Sequence, residues 1–213
     1  DKADIDPVLF SDADIAGCLT TTKSTNGAFK TLLGPDTRFP LSAISQKQTC
    51  VSHSTTESET VAADTALRNE GLPSLDLWDA VFDRSCVLKL MEDNEAMIKI
   101  MKAKQSSIMR HLKSTQRIDL AFMIERFQVD PTLTLQYCNT EDQAADIFTK
   151  RFTDPWKWLQ LMYLINVVDT KLFWKCGDLP TYLFKVGAIP YRHMALVGPL
   201  VTTPCGDMGS RLP

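Results

Sequence analysis

The chain has 213 residues, 44% of them hydrophobic and 23% charged, with a formal net charge of −3. That is the composition of an ordinary globular protein with room for one full domain and some extra material, and it excludes a uniformly basic nucleic-acid binder, so any basic surface must be local. The longest apolar run, 158–168, is broken by Gln160 and Asn166 and is too short to span a bilayer, no signal peptide is visible, and the six cysteines (Cys18, Cys50, Cys86, Cys138, Cys176, Cys205) form no CxxC pair; no membrane association and an intracellular setting, cytoplasm or nucleus, are expected.

Val8-Leu9-Phe10 is a short apolar run that stops in Ser11-Asp12-Ala13-Asp14, the pattern of a buried strand delivering carboxylates at its C-terminal end. A polar turn over 20–26, closed by the hairpin signal Asn26-Gly27, leads into two further antiparallel strands, 28–33 and 41–45, separated by Gly34-Pro35-Asp36. Ser54-x-x-Glu57 and Thr56-x-x-Glu59 both fit a capping box, in which a hydroxyl and a carboxylate each bond the other's backbone N–H. One glutamate suffices for one helix start. With Ser54 as N-cap, Glu57 closes the box and Glu59 is left over one turn inside, on a face shared with Ala62, Ala63 and Ala66. A carboxylate on a face turned toward the protein needs a partner, whether Arg, Lys or a metal; on a solvated face it needs none. This helix is expected over 55–69, broken by Gly71 and Pro73, with Ser74 capping a second one through Phe82.

Val87 to Met91 reads as a fourth strand, again running into acid at Glu92-Asp93, and Asn94 caps a helix over 95–102. A helix over 118–127 and an alternating fifth strand, Leu133 to Tyr137, follow. Thr140-x-x-Gln143 then opens a last helix with Asp142 and Asp146 on one face. Three strands, a helix, a strand, helices, a strand and a helix imply a mixed sheet with helices packed on it. Asp12 and Asp93 stand at strand ends, with Glu59 and Asp146 on helices beside them. Carboxylates gathered at the centre of an α/β sheet repel one another unless cations neutralise them, and hard oxygen ligands without His or Cys suit Mg²⁺ or Mn²⁺ better than zinc.

Seven blocks in order carry a resemblance: Phe10-Ser11-Asp12-Ala13-Asp14, Lys23-Ser24-Thr25-Asn26-Gly27, Ser45-Gln46-Lys47-Gln48, Ser54-Thr55-Thr56-Glu57-Ser58-Glu59, Glu92-Asp93-Asn94-Glu95-Ala96, Gln116-Arg117-Ile118-Asp119, and Thr140 through Lys150 (TEDQAADIFTK). The chain resembles the ribonuclease H domain of copia-type LTR retrotransposon Pol polyproteins over roughly residues 8 to 152. The resemblance implies a ribonuclease H-like fold, a five-stranded mixed sheet with its first three strands antiparallel and helices on it, filling 1–152. It implies hydrolysis of the RNA strand of an RNA–DNA hybrid by two Mg²⁺ ions, with Mn²⁺ able to substitute, and a reverse transcriptase domain of the same polyprotein as a partner. The metal-binding, catalytic carboxylates would be Asp12, Glu59, Asp93 and Asp146. Asp12 would bridge the ions, Asp146 would serve the water-activating ion, and Glu59 and Asp93 the ion on the leaving 3′ oxygen. Asp14, Glu57 and Asp142 would be supporting or capping acids. A second class of function is a decayed or domesticated relic that keeps the fold, and nucleic-acid or protein binding, without turnover.

Lys99, Lys102, Lys104, Arg110, Lys113 and Arg117 occur without an acidic residue among them, on a chain that is acidic overall. Beside a hybrid-cleaving site they are candidate phosphate contacts; otherwise they form a solvated face. After residue 152, 153–168 is expected as an amphipathic helix burying Trp158, Leu159, Met162 and Ile165, and 169–213, punctuated by Gly and Pro, as a loop-like or disordered tail.

Overall fold

The computed structural model describes residues 4–103 and 112–167. Its centre is β1 (Asp6–Asp14), which is buried on both faces from Pro7 to Ala13. β2 (Thr25–Gly34) lies antiparallel on one side of it and β3 (Thr37–Lys47) antiparallel beyond that; β4 (Leu88–Glu92) and β5 (Leu133–Tyr137) continue parallel on the other side. The strand order is β3-β2-β1-β4-β5. This is a five-stranded mixed sheet with its first three strands antiparallel, the architecture that the resemblance to ribonuclease H domains implies. β3 is one of the two edge strands and is mostly exposed, and it tolerates Pro40 where the register with β2 shifts between Lys30 and Thr31.

Alternation along β1 splits the core into two layers. Leu9 turns to the face covered by α1 (Thr55–Ala66), α3 (Glu95–Lys102) and α5 (Leu120–Val129), with Leu88, Leu90, Met97, Met101, Met123 and Leu133 around it. Val8 and Phe10 turn to the opposite face, where Phe29, Ala144, Ala145, Leu161 and Leu164 close over them. α6 (Pro155–Leu164) therefore belongs to the same packed unit as the sheet. Its buried residues are Gln160, Leu161 and Leu164, while Trp158 is exposed, so the inward face differs from the expected Trp158, Leu159, Met162, Ile165 set. The expected tail, 169–213, lies outside the described residues.

Several local expectations change. β2 begins at Thr25, so Asn26-Gly27 is not a hairpin turn but lies within the strand, opposite Ala13 and Asp12. Both β2 and β3 are longer than expected because their polar flanks still pair. The helical path also continues through Gly71 and Pro73. α1 passes into a wide turn over Leu67–Gly71, then a tight turn over Leu72–Ser74, then α2 (Leu75–Phe82). Changing the winding accommodates the missing N–H of Pro73. Gly71 is there for proximity, since a Cβ would stand 2.7 Å from Leu88 Cδ2 and 3.2 Å from Leu9 Cδ2. Ser74 Oγ donates back to the Gly71 carbonyl instead of capping α2. α5 starts at Leu120, with Asp119 as its cap. Among the described residues, no helix is long and apolar enough to cross a membrane.

Gly27 has the same kind of role nearer the acids. A Cβ on it would lie 2.5 Å from Thr149 Cγ2 and 2.9 Å from the Ala145 carbonyl, so the segment carrying Asp146 crosses β2 in contact with its backbone. Gly27→Ala is expected to destabilise the fold by roughly 1–3 kcal/mol, the range for overpacking a filled site. Denaturant unfolding checks it, and an unchanged midpoint would show that the crossing segment is free to shift.

Candidate metal centre

The sheet delivers two acids side by side because β1 and β4 are adjacent and parallel, Phe10 pairing with Met91. Asp12 is two residues beyond that pair on β1 and is 1% exposed; Asp93 is two beyond it on β4's exit and is partly buried. Glu59 comes from the second turn of α1. Ser54 caps that helix by accepting from the Glu57 N–H at 3.1 Å, and Glu57 Oε2 accepts from the His53 N–H at 3.0 Å. Glu57 is thus committed to the helix start, and Glu59 projects to the sheet over buried Ala62, Ala63 and Ala66.

Asp12, Glu59 and Asp93 converge, with one carboxylate oxygen from each lying within 4.8 Å of the others. Oxygens on opposite sides of a Mg²⁺ ion lie about 4 Å apart, given Mg–O distances near 2.1 Å. Glu59 Oε2 is buried and has no hydrogen-bond partner. An all-oxygen, anionic donor set with an orphaned buried oxygen fits a hard divalent cation.

Asp146 stands beside this group but not in it. The expected capping box at Thr140 and last helix are replaced by two short tight turns, Thr140–Asp142 with Asn139 as cap, and Ala144–Phe148. Gln143, fully buried, donates from Nε2 to the Ser11 carbonyl and tethers the second turn to β1. Asp146 then faces Asp12 with Lys150 between them: Nζ is 2.6 Å from Asp146 Oδ1 and 3.2 Å from Asp12 Oδ1. Asp142 lies in the first of these turns and not on one helix with Asp146; burial raises its proton affinity, with Arg38 and Lys157 pulling the other way. Asp14 accepts from the Thr25 N–H and so closes the β1–β2 ladder.

Four residues of the site were not anticipated from the sequence. Thr149 donates its hydroxyl to Asp12 Oδ2, Thr140 donates to Asp93 Oδ2 at 2.9 Å, Lys150 bridges as above, and Glu92 is fully buried behind the group. Ser11 Oγ and the Asn94 N–H hold Glu92 at 3.1 and 3.2 Å. The i,i+4 spacing of Asp146 and Lys150 was a legible signal for one of these contacts. Inward alternation of Leu88, Leu90 and Glu92 was another.

Packing acids this closely raises their proton affinity. Burial, then Glu92, Asp12 and Asp93, push Glu59 up to about 11, with Lys150 pulling the other way. Burial likewise lifts Glu92 to about 8, against its hydrogen bond from Asn94. Asp146 rises to about 6 through burial and Asp12, and Lys150 offsets part of that. Burial would lower Lys150, but Asp12 and Asp146 outweigh it and hold the ammonium charged.

Among the described residues of the basic stretch, two cations are ion-paired. Lys99 pairs with Glu95 and Lys113 with Asp119, both at 3.0 Å, using acids just outside the stretch. Lys102 and Arg117 are exposed, and Lys104 and Arg110 lie outside the described residues. The bonds from Thr49 to Gln116 and from Cys50 to the Thr115 carbonyl put Lys113 and Arg117 at the sheet end that carries the acids.

No family model matches the chain, and no curated protein matches it. Among solved structures it is similar to LC11-RNase H1, isolated from compost by a metagenomic approach, with 16% identity and a TM-score of 0.47 over 68% of this chain and 92% of that one. It is also similar to an N-terminal RNase H domain from Mycobacterium tuberculosis, with 14% identity and a TM-score of 0.41 over 67% and 89%.

Without a cation, the folded protein keeps a proton on Glu59 that the unfolded chain, with a carboxyl near 4.5, has already released. Stability from this source is complete below about pH 4.5 and is lost as pH climbs toward about 11. The metal-free melting temperature should therefore fall between pH 6 and pH 9. Glu59→Gln, which keeps a neutral side chain, should flatten that fall and raise stability at pH 9. Identical slopes for the two proteins would show that Glu59 ionises freely in the fold.

Proposed function

We propose that this chain is a ribonuclease H that hydrolyses the RNA strand of RNA–DNA hybrids, with Asp12, Glu59, Asp93 and Asp146 as ligands of two divalent ions, Mg²⁺ or Mn²⁺. The observation that carries the proposal is the convergence of Asp12, Glu59 and Asp93 within 4.8 Å around an unpartnered, buried Glu59 oxygen. Bound ions would lower the pKa of an attacking water and neutralise charge on the phosphate and the leaving oxygen. The chain's own residues prepare that site. Thr149 and Thr140 orient Asp12 and Asp93, Gln143 holds the Asp146 segment against β1, and the two core layers keep solvent from the rear of the group. The substrate would be told from duplex DNA by its ribose 2′-OH. The seven sequence blocks support an origin in a copia-type Pol polyprotein, with its reverse transcriptase as the partner that generates the hybrid.

Purified protein incubated with a labelled hybrid should cleave the RNA strand only when Mg²⁺ or Mn²⁺ is present, leaving 3′-hydroxyl and 5′-phosphate ends. Asp12→Asn should reduce the rate by at least about a hundredfold, a loss comparable to removing one principal electrostatic contact of a transition state. Cleavage that persists in a chelator, or equal cleavage of single-stranded RNA, overturns the proposal.

Lys102, Lys113 and Arg117 are proposed as phosphate contacts for the same substrate. Each contact removed should lower the salt slope of hybrid binding by about 0.7 to 0.9. Hybrid affinity at several salt concentrations, compared between Asp93→Asn and the same chain with all three cations changed to Ala, measures this. Parallel slopes would assign these side chains to solvent.

A further inference from the structure

Lys150 occupies a place that the metal reading proposed above requires for something else. Its ammonium lies 2.6 Å from Asp146 Oδ1 and 3.2 Å from Asp12 Oδ1. Both carboxylates are nearly sealed from water, at 3% and 1% exposure, whereas the Lys150 side chain is 36% exposed. Among the described residues it is the one cation in ion-pair contact with either acid. On the other side of Asp12, Glu59 Oε2 has no partner. The two halves of the acidic group are therefore unequal. The half formed by Asp12, Glu59 and Asp93 is open, and the half formed by Asp12 and Asp146 is filled.

We infer that Lys150 is a built-in counter-cation that stands between Asp12 and Asp146 until a divalent ion displaces it. This rests on the metal-site reading above. A divalent ion binding the same two oxygens at about 2.1 Å would share them with an ammonium at close range, and the like charges would repel. The ammonium can leave because its side chain already reaches solvent on a flexible stem, while the carboxylates are fixed in the core. Two consequences follow from the geometry. Without metal, Lys150 keeps two buried carboxylates from facing each other uncompensated. With metal, the ions bind in order, first in the open half and then in the half from which Lys150 must withdraw.

The size of the second effect follows from occupancy. If Lys150 holds the pair in about nine of every ten metal-free molecules, apparent affinity for the second ion is reduced roughly tenfold, because only the competent fraction binds. Removing the ammonium restores that factor and leaves the first ion's site nearly untouched.

The test uses the full chain stripped of metal, as wild type, Lys150→Met, Lys150→Arg, and Lys150→Met combined with Asp146→Asn. Calorimetric titration with Mn²⁺ should give a tight and a weak event in wild type. In Lys150→Met the weak event should tighten about tenfold, the tight one should change less than about twofold, and Lys150→Arg should resemble wild type. One ion per wild-type chain and two per Lys150→Met chain is the same result in its limiting form. A weak event that is unchanged or weaker in Lys150→Met, on a protein whose wild type binds Mn²⁺, overturns the displacement and leaves the metal site standing. No Mn²⁺ binding by any of the proteins overturns the displacement together with the metal reading. The metal-free melting temperature supplies a readout independent of metal: Lys150→Met should lower it, and the added Asp146→Asn should recover most of the loss. A melting temperature unmoved by Lys150→Met overturns the counter-cation role, whatever the titration shows.

Discussion

Five carboxylates, from Asp12, Glu59, Glu92, Asp93 and Asp146, meet at one end of a sheet, four of them buried. Everything near that end is arranged around their mutual repulsion. Ionised acids cannot be taken out of water together unless each is paired, hydrogen-bonded or neutralised by a proton. The fold uses all three means. Lys150 pairs two of the acids, the hydroxyls of Ser11, Thr140 and Thr149 each donate to one, and Glu59 is held so far up that it keeps its proton at neutral pH. Lys150 satisfies only Asp12 and Asp146, so the side of Asp12 that faces Glu59 and Asp93 is the part of the group without a cation of its own among the described residues.

The scaffold makes the crowding possible by being closely packed where the acids are carried. α1 approaches the sheet over alanines, so the Glu59 side chain reaches the strand ends. The Asp146 segment crosses β2 at Gly27, the residue paired with Asp12 across the β1–β2 ladder, and Gln143 ties it to the Ser11 carbonyl. Leu161 and Leu164 of α6 then press the turn that carries Asp146 from outside. Small side chains at the crossing points and large ones behind them fix positions that electrostatics alone would push apart.

Much of this was legible in the sequence, and for a local reason. Apolar runs that stop in acid marked β1 and β4. Asn94 marked the start of α3, alternation marked β5 at its observed limits, and the Ser54–Glu57 pair separated the capping glutamate from the spare one. The sequence failed where a residue's role depends on contacts far along the chain. Asn26-Gly27 has the chemistry of a turn, but Gly27 is needed because residues 145 and 149 pass over it. Gly71 looks like a helix breaker and is instead a point of contact with Leu9 and Leu88. Thr140 and Gln143 have capping-box spacing, yet each side chain is drawn to a residue more than 40 positions away, at Asp93 and Ser11.

The neighbouring acids Glu92 and Asp93 show how one residue of register divides structural from candidate ligand roles. Strand alternation sends Leu88, Leu90 and Glu92 inward, so Glu92 is fully buried and spends its oxygens on Ser11 and the Asn94 N–H. Asp93, the first residue past the strand, escapes that alternation and turns to Asp12 and Glu59, accepting a hydrogen bond from the Thr140 hydroxyl. Glu92 is therefore unsuited to coordinate, since both of its oxygens are already bonded, but its proximity is the largest electrostatic contribution to the raised proton affinity of Glu59 after burial. The fully buried acid sets the potential and the partly buried one offers the oxygen. Shifting β4 by one residue would exchange them, burying Asp93 on a side chain one methylene shorter and leaving the group of three without its third member.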